Sequence, residues 1–160
     1  MIQVSEITTA HDATIAGIIA SVGKEFGAVG EGFGPADAEV AAMSQHYSDA
    51  SRSLYLVAEI DGEIVGGGGI AAFAGRPQTS ELRKLFLLPK ARGLGIGEAI
   101  SMQCLEYAKS HGYSECYLET MGGMKAAIAL YKKLGFTILQ EPLPGSAHGG
   151  CETWMLKRWG

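Results

Sequence analysis

Residues 81–97 constrain the fold more than any other part of this sequence. The first half of this segment is rich in apolar residues and typical of a β-strand, which Pro89 ends. A loop with glycine at positions 93, 95 and 97 follows, and the pattern after it predicts a helix that begins near Gly95. The first N–H groups of a helix lack intrahelical partners and carry a partial positive charge. This strand–loop–helix is therefore suited to binding an anion such as a pyrophosphate.

Two common phosphate-binding motifs do not fit this loop. The Walker motif needs lysine and then serine or threonine after its last glycine, whereas Gly97 is followed by Glu98 and Ala99. The dinucleotide motif Gly-x-Gly-x-x-Gly needs glycine at position 98 or 100, where glutamate and isoleucine stand. The pattern that remains is arginine at position 92 followed by the three alternating glycines.

This pattern, together with a second motif downstream, resembles the GNAT acetyltransferase superfamily. The loop is similar to the family's coenzyme A pyrophosphate loop, whose fixed places are filled here by Arg92, Gly95 and Gly97. The second motif is a helix that the family usually writes Ala-x-x-x-Tyr-x-x-x-Gly-Phe, matched by Ala127, Tyr131, Gly135 and Phe136. The two motifs occur in the family's order and at its separation, and the order of predicted elements also agrees.

The remaining patterns predict a mixed α/β fold. We predict strands over residues 2–7, 54–60, 63–73, 79–88, 114–120, 136–140 and 152–157, and helices over 10–26, 35–47, 95–111 and 124–134. Asp61-Gly62 indicates a hairpin between the second and third strands, and the strand–helix–strand units of the second half indicate parallel neighbours there. Glycines 66–69 mark a bulge or a place where another group comes close.

We therefore expect one domain, residues 1–160, with a mixed, mostly antiparallel twisted sheet flanked by helices. The family resemblance implies the same, namely the acyl-CoA N-acyltransferase fold. Hydrophobic residues make up 47% of the chain and charged residues 19%, which is typical of a globular domain. No internal repeat or linker divides the sequence.

Composition also bears on partners and compartment. The net charge of −4 argues against nucleic acid or an anionic membrane as the main partner. The first residues lack the features of a signal peptide, and the three cysteines show no paired spacing. We expect a cytoplasmic monomer or homodimer with no metal and no disulfide.

The resemblance implies a reaction and a cofactor. Members of the superfamily move an acetyl group from acetyl-CoA to an amine, here of a small molecule or a protein, by direct attack in a ternary complex. The implied position of the proton donor to the departing thiolate is Tyr131, because a phenol is protonated at neutral pH. The implied acetyl-CoA site comprises Phe86, Leu87, Leu88, Arg92, Gly93, Leu94, Gly95, Ile96 and Gly97.

The base that takes the proton from the amine is left open by the sequence. Some family members carry a glutamate on the strand before the loop, and Glu81 stands there. Strict alternation would put Glu81 on the same face as residues 83, 85 and 87. The alternative to a catalytic role is that Glu81 is solvated and pairs with Arg83. Glu119 on the fifth strand is a second candidate, and many family members use only a chain of waters.

Three further points qualify the resemblance. Met124 stands where the family often has an asparagine that contacts the cofactor. His148 and Cys151 could form a nucleophilic pair, although the predicted chemistry needs no acyl-enzyme and a structural cysteine is the simpler interpretation. The alternatives to an acetyltransferase are a catalytically idle CoA-binding regulatory module and a transferase for another short acyl-CoA. Acceptor specificity is expected to depend on residues 23–47 and 142–151.

Overall fold

Seven strands form one twisted sheet in the computed structural model, which describes residues 1–27, 37–73, 75–120, 124–145 and 151–159. The strands are β1 (Ile2–Glu6), β2 (Leu54–Ile60), β3 (Glu63–Phe73), β4 (Arg76–Leu87), β5 (Glu115–Thr120), β6 (Thr137–Leu139) and β7 (Thr153–Arg158). The α-helices of these residues are α1 (Asp12–Glu25), α2 (Ile96–Ser110) and α3 (Lys125–Lys133).

The sheet is mixed and mostly antiparallel, which confirms the predicted fold class. Its strand order is β1-β2-β3-β4-β5-β7-β6, and β4 and β5 form the parallel pair. The connection between these two strands runs through α2, as a parallel crossover requires. The prediction of parallel neighbours is wrong for β5 and β6, because β7 lies between them and pairs antiparallel with both.

The predicted hairpin between β2 and β3 is confirmed with its turn. Asp61 and Gly62 have φ of 49° and 85°, so both central residues adopt the left-handed conformation that a tight hairpin turn needs. The helix predicted over residues 35–47 is wrong in type. Within the described residues this region is a 3₁₀ segment, Ala38–Gln45, which is broken at Ala42 by a φ of −149°.

Helices cover both faces of the sheet, and each face has its own core. On one face α2 and α3 pack over buried residues that include Ile70, Leu82, Ile100 and Tyr131. On the other face α1 and the 3₁₀ segment cover a second cluster. The members of the second cluster include Ile15, Ile19, Val40, Met43, Tyr47, Tyr55 and Val57. Each helix buries the apolar stripe that its sequence period predicted.

The glycine run in β3 is explained by close approach from both sides. A Cβ on Gly67 would lie 2.7 Å from the Tyr55 ring and 2.7 Å from the Leu56 carbonyl oxygen. On the opposite face, a Cβ on Gly68 would lie 2.7 Å from Leu85 and 2.9 Å from Ile100. Because Gly67 and Gly69 have no side chains, the Tyr55 ring can lie against β3. The Tyr55 hydroxyl donates a hydrogen bond to the Lys84 carbonyl of β4 at 2.8 Å.

That carbonyl belongs to a β-bulge, which corrects one prediction about the faces of β4. Lys84 has a φ of 50°, and the β3–β4 register shifts between Gly67 and Gly69. Residue 81 therefore shares the α1 face with Arg83, as predicted. Leu85 and Leu87 instead pack into the cluster under α2 and α3. Strict alternation fails here because the bulge adds one residue to β4.

Two glycine substitutions should test this close packing in opposite directions. We expect Gly67→Ala to lower the free energy of unfolding by about 1–3 kcal/mol, because the methyl group overlaps Tyr55 and the Leu56 carbonyl. The control is Gly17→Ala in α1, where nothing lies within 4 Å of the new Cβ. Removal of an exposed helical glycine should raise stability by about 0.5–1 kcal/mol. Urea unfolding of both variants measures the difference, and equal stabilities would contradict the packing described.

Candidate active site

A wedge between β4 and β5 opens beside the glycine loop. In the paired part of these strands, Thr79 lies opposite Glu115, Ser80 opposite Cys116 and Glu81 opposite Tyr117. After residue 81, β4 continues along β3 as far as residue 87, whereas β5 continues along β7 as far as Thr120. The two strands therefore part at their carboxyl ends, and no other strand of the described residues pairs with β4 on that side. In a parallel α/β arrangement this edge is where ligands bind.

The glycine loop joins this wedge to the N-terminus of α2. Gly93 and Gly95 have φ of 75° and 81°, a conformation that favours glycine, and a Cβ on either would meet nothing within 4 Å. The first hydrogen bond of α2 runs from the Ala99 N–H to the Gly95 carbonyl at 3.0 Å. The preceding N–H groups of the first turn thus lie at an open, positively polarised helix end.

Gly97 contributes to this site through packing. A Cβ there would lie 3.5 Å from Leu130 of α3 and 3.6 Å from Leu87 of β4, so the absence of a larger side chain lets α2 approach both elements. Leu94 lies in the same loop with 52% of its surface exposed. Its side chain is available for contact with a ligand at the loop.

The backbone of β4 directs one amide into the wedge. The Leu88 N–H donates to the Val65 carbonyl of β3 at 2.8 Å. Because successive N–H groups along a strand point to opposite sides, the N–H of Leu87 points away from β3 and toward β5. The Phe86 side chain packs with the α1 cluster, and those of Leu87 and Leu88 pack under α2 and α3.

The guanidinium of Arg92 is engaged with protein groups. Its Nε and Nη2 donate to the Leu87 carbonyl at 3.2 and 3.0 Å. Its Nη1 and Nη2 donate to the two carboxylate oxygens of Glu25, the last residue of α1, at 2.7 and 2.8 Å. Arg92 therefore joins β4, the loop and α1. Direct contact between its side chain and a phosphate remains a prediction.

Tyr131 lies on the buried face of α3. Its ring is 6% exposed and meets Phe136 edge-on, with 5.8 Å between the ring centroids. Among the described residues, burial and the nearby Cys116 and Cys104 are the effects on its hydroxyl, and no hydrogen bond is among them. Burial, with smaller effects of the nearby Cys116 and Cys104, raises the pKa of Tyr131 well above its ordinary value. The phenol therefore stays protonated at neutral and moderately alkaline pH.

Glu81 is buried and paired. It is 6% exposed, and its Oε1 accepts a hydrogen bond from the Arg83 Nε at 2.8 Å. The Arg83 Nη2 also donates to the Ala72 carbonyl at 3.1 Å. The predicted pair with Arg83 is thus present, but the carboxylate is inside the protein rather than solvated. Burial alone would lower the pKa of Arg83, but Glu81, together with Tyr47 and Glu39, raises it overall.

Three charged residues at this site were missed by the sequence analysis. Lys84, whose side chain is 3% exposed, contacts Asp37 Oδ2 at 2.8 Å and Glu39 Oε2 at 3.1 Å. Burial would raise the pKa of Glu39, but Lys84 and the Tyr47 hydroxyl lower it overall. Lys84 could have been found only by recognising the bulge, since alternation assigns it to the face opposite Arg83.

A second carboxylate, Glu119, lies on β5, the other strand of the wedge. Its Oε2 accepts a hydrogen bond from the Tyr117 hydroxyl at 2.9 Å. Burial, followed by the carboxylates of Glu119, Glu81 and Asp37, raises the pKa of the Cys151 thiol to about 12. These side chains therefore share one electrostatic environment. His148 lies outside the described residues, so the predicted pair of His148 and Cys151 is not described.

Met124, at the position of the family asparagine, stands at the N-terminal end of α3. Its Sδ accepts a hydrogen bond from the Thr120 hydroxyl at 3.4 Å. Within the described ranges, no group of three or more histidine, cysteine, aspartate or glutamate residues could hold a metal ion. Nor is any helix in those ranges long and apolar enough to cross a membrane.

Comparison with known proteins identifies the family. The family model described as Acetyltransferase (GNAT) family matches residues 25–136. The Escherichia coli K12 protein named uncharacterized N-acetyltransferase YjgM is 37% identical over 153 residues, which is 94% of this chain and 91% of that protein. This chain belongs to the GNAT acetyltransferase family, which confirms the resemblance carried by the loop and helix motifs.

Solved structures confirm the fold. A GNAT-family acetyltransferase from Staphylococcus aureus Mu50 has a TM-score of 0.84 at 20% identity, and the match covers 99% of both chains. The PaiA N-acetyltransferase of Thermoplasma acidophilum, solved in complex with coenzyme A, has a TM-score of 0.76 at 18% identity, again over 99% of both chains. The mixed sheet with flanking helices is thus the acyl-CoA N-acyltransferase fold.

The raised pKa of Cys151 leads to a test of whether this residue is a nucleophile. We expect the native protein to react slowly with Ellman's reagent at pH 7, because very little of a thiol with a pKa of about 12 is ionised there. The rate should rise only as the pH becomes strongly alkaline. Cys104 and Cys116 are buried and should also react slowly. The urea-unfolded protein, in which all three thiols should react quickly, is the control. Rapid reaction of one native thiol at pH 7, abolished by Cys151→Ser, would contradict the expectation.

Proposed function

We propose that this protein transfers an acetyl group from acetyl-CoA to an amino group of a small molecule or a protein, with both substrates bound together. The observation that carries the proposal is the wedge between β4 and β5, which opens directly beside the glycine loop and the N-terminus of α2. One surface thus combines an anion site for the diphosphate with unpaired strand backbone for the rest of the cofactor.

The loop supplies the proposed diphosphate site. The N–H groups of residues 93–97 and the positive end of the α2 dipole face a negatively charged ligand, and the open space around Gly93 and Gly95 lets it approach the backbone. Leu94 and Ile96 complete this segment. The thioester arm of acetyl-CoA would then extend along β4, past Leu88, Leu87 and Phe86.

The acetyl carbonyl is proposed to lie at the Leu87 N–H. An amide that is already oriented toward the wedge can donate to the carbonyl oxygen as negative charge develops on it. This donor costs no reorganisation during the reaction because β3 and the bulge already hold β4 in place. The amine nitrogen then attacks the carbonyl carbon, and the carbon–sulfur bond breaks as the tetrahedral intermediate collapses.

Glu81 is proposed as the general base. The amine must lose a proton to attack, and Glu81 is a buried carboxylate located at the last β4–β5 pair, where the wedge begins. Its hydrogen bond to Arg83 would hold the carboxylate in one orientation. Glu119, on the neighbouring strand, is the alternative base, and the two can be separated by comparing the pH–rate profiles of Glu81→Gln and Glu119→Gln.

Tyr131 is proposed as the general acid. The departing thiolate takes a proton or a hydrogen bond from the phenol, whose raised pKa keeps it protonated over the working pH range. Its position in the second family motif, on the buried face of α3, supports the role.

Turnover of acetyl-CoA with a panel of amines tests the proposal. The panel should contain amino acids, polyamines, aminoglycosides and peptides, with thiol release as the readout and propionyl-CoA in a parallel series. Acetyl transfer to at least one amine supports the proposed function, and a preference for the longer acyl group would assign another acyl-CoA. CoA binding without turnover across the panel would support an idle regulatory module instead.

Substitutions at Gly95 should test the proposed diphosphate site. Asparagine and aspartate have the same shape, and both tolerate the left-handed conformation that Gly95 adopts better than other residues do. We expect Gly95→Asp to weaken CoA binding roughly tenfold more than Gly95→Asn, because the aspartate places a negative charge beside the phosphates. Isothermal calorimetry measures both affinities. Equal affinities in two folded variants would place the diphosphate elsewhere.

A hydroxyl deletion should test Tyr131. We expect Tyr131→Phe to lower kcat roughly 100-fold, the lower end for a lost general acid, because the ring and its packing on Phe136 remain. The affinity for acetyl-CoA and the thermal stability should barely change. Rates are measured at saturating acetyl-CoA with an acceptor found in the panel. A variant that matches the parent rate from pH 7 to 9 would show that Tyr131 is only a packing residue.

A further inference from the structure

The cofactor loop is held by an ion pair that reaches across the molecule. Arg92, which begins the loop, uses four hydrogen bonds to join the Leu87 carbonyl at the end of β4 to the Glu25 carboxylate at the end of α1. A guanidinium has five N–H donors in one plane, so these bonds fix its position and its orientation. The Phe26 ring, 5.3 Å from the guanidinium carbon, adds a cation–π contact.

The position of Glu25 is otherwise unfavourable for a carboxylate. The C-terminus of a helix carries a partial negative charge, and Glu25 is the final residue of α1. It also lies beside a loop that is proposed to bind a diphosphate, where a negative charge opposes ligand binding. The hydrogen bonds from Arg92 nevertheless lower the pKa of Glu25, so this residue is ionised at neutral pH.

We propose that Glu25 is a positioning residue for the cofactor loop. By holding the Arg92 guanidinium against the Leu87 carbonyl, it keeps the backbone amides that follow Arg92 aimed at the diphosphate. Glu25 thereby strengthens coenzyme A binding although its charge has the same sign as the ligand's. This inference rests on the proposed function, since it needs the loop to bind coenzyme A.

The sign of one affinity change tests the inference. Replacement of Glu25 by glutamine removes a negative charge near the anion site and weakens the hold on Arg92. A carboxylate that only repels the ligand would make Glu25→Gln bind CoA more tightly. Positioning through Arg92 makes it bind more weakly, by about fivefold if the bidentate pair contributes as much as a well-formed surface ion pair does.

A matched control isolates the effect of charge alone. Glu98, in the first turn of α2, is also near the loop but pairs with Lys133 at 3.0 Å and makes no hydrogen bond to Arg92. Glu98→Gln should leave the Kd of CoA unchanged or lower it. Both side chains are partly exposed, so thermal unfolding of each variant should stay close to that of the parent.

Calorimetry with CoA and acetyl-transfer kinetics give independent readouts. We expect Glu25→Gln to raise the Kd of CoA and the KM for acetyl-CoA by the same factor, with kcat at saturating acetyl-CoA within twofold of the parent. In the Arg92→Gln background, a further Glu25→Gln change should no longer raise the Kd, because the partner through which Glu25 acts is gone. Loss of the Glu25 charge should then leave the Kd unchanged or lower it.

Three results would overturn the inference. Unchanged or tighter CoA binding by Glu25→Gln would make Glu25 a bystander. Additive effects in the double variant would show that Glu25 does not act through Arg92. Failure of the unaltered protein to bind CoA would reject the proposed function itself, and the inference with it, before any variant is compared.

Discussion

The β-bulge at Lys84 is the constraint on which the rest of this structure depends. It turns the end of β4 so that Leu87 packs under α2 while its N–H points toward β5. The buried Tyr55 hydroxyl holds the bulge carbonyl, and it reaches that carbonyl because β3 has glycine at positions 67 and 69, which face the Tyr55 ring. The Lys84 side chain is held on the same face by Asp37 and Glu39. A left-handed lysine is costly, and this combination of bonds keeps it in place.

The two halves of the proposed site have different physical supports. The cofactor side is mainly backbone: an open helix end, two left-handed glycines and a strand edge without a partner. The side proposed to bind the acceptor contains the buried charged residues Glu81 and Lys84 and the partly buried Arg83. Such groups are stable inside a protein only when they are paired. The ion pairs that these residues form with one another and with Asp37 and Glu39 therefore allow the charges to lie inside the protein.

Much of the fold was predictable because its signals are local. The Asp61-Gly62 turn, the apolar stripes of the helices and the strand–loop–helix at residues 81–97 each depend on neighbours in the chain. The errors fall where distant groups decide. The position of β7 between β5 and β6 depends on its pairing with β5, a strand that is distant from it in the sequence. The 3₁₀ segment at residues 38–45 is shaped partly by its ion pairs with Lys84, which no helical period can indicate.

The sequence by itself determined the family, and it located the glycine loop and Tyr131 on which the proposed site depends, because each motif consists of residues close together along the chain. Only the tertiary structure decided which side chains meet. It paired Arg92 with Glu25, which are far apart in sequence, and it placed Lys84 on the same face as Arg83. The physical reason is that a bulge and an ion pair depend on packing between elements, whereas motif and periodicity report only what a segment does alone.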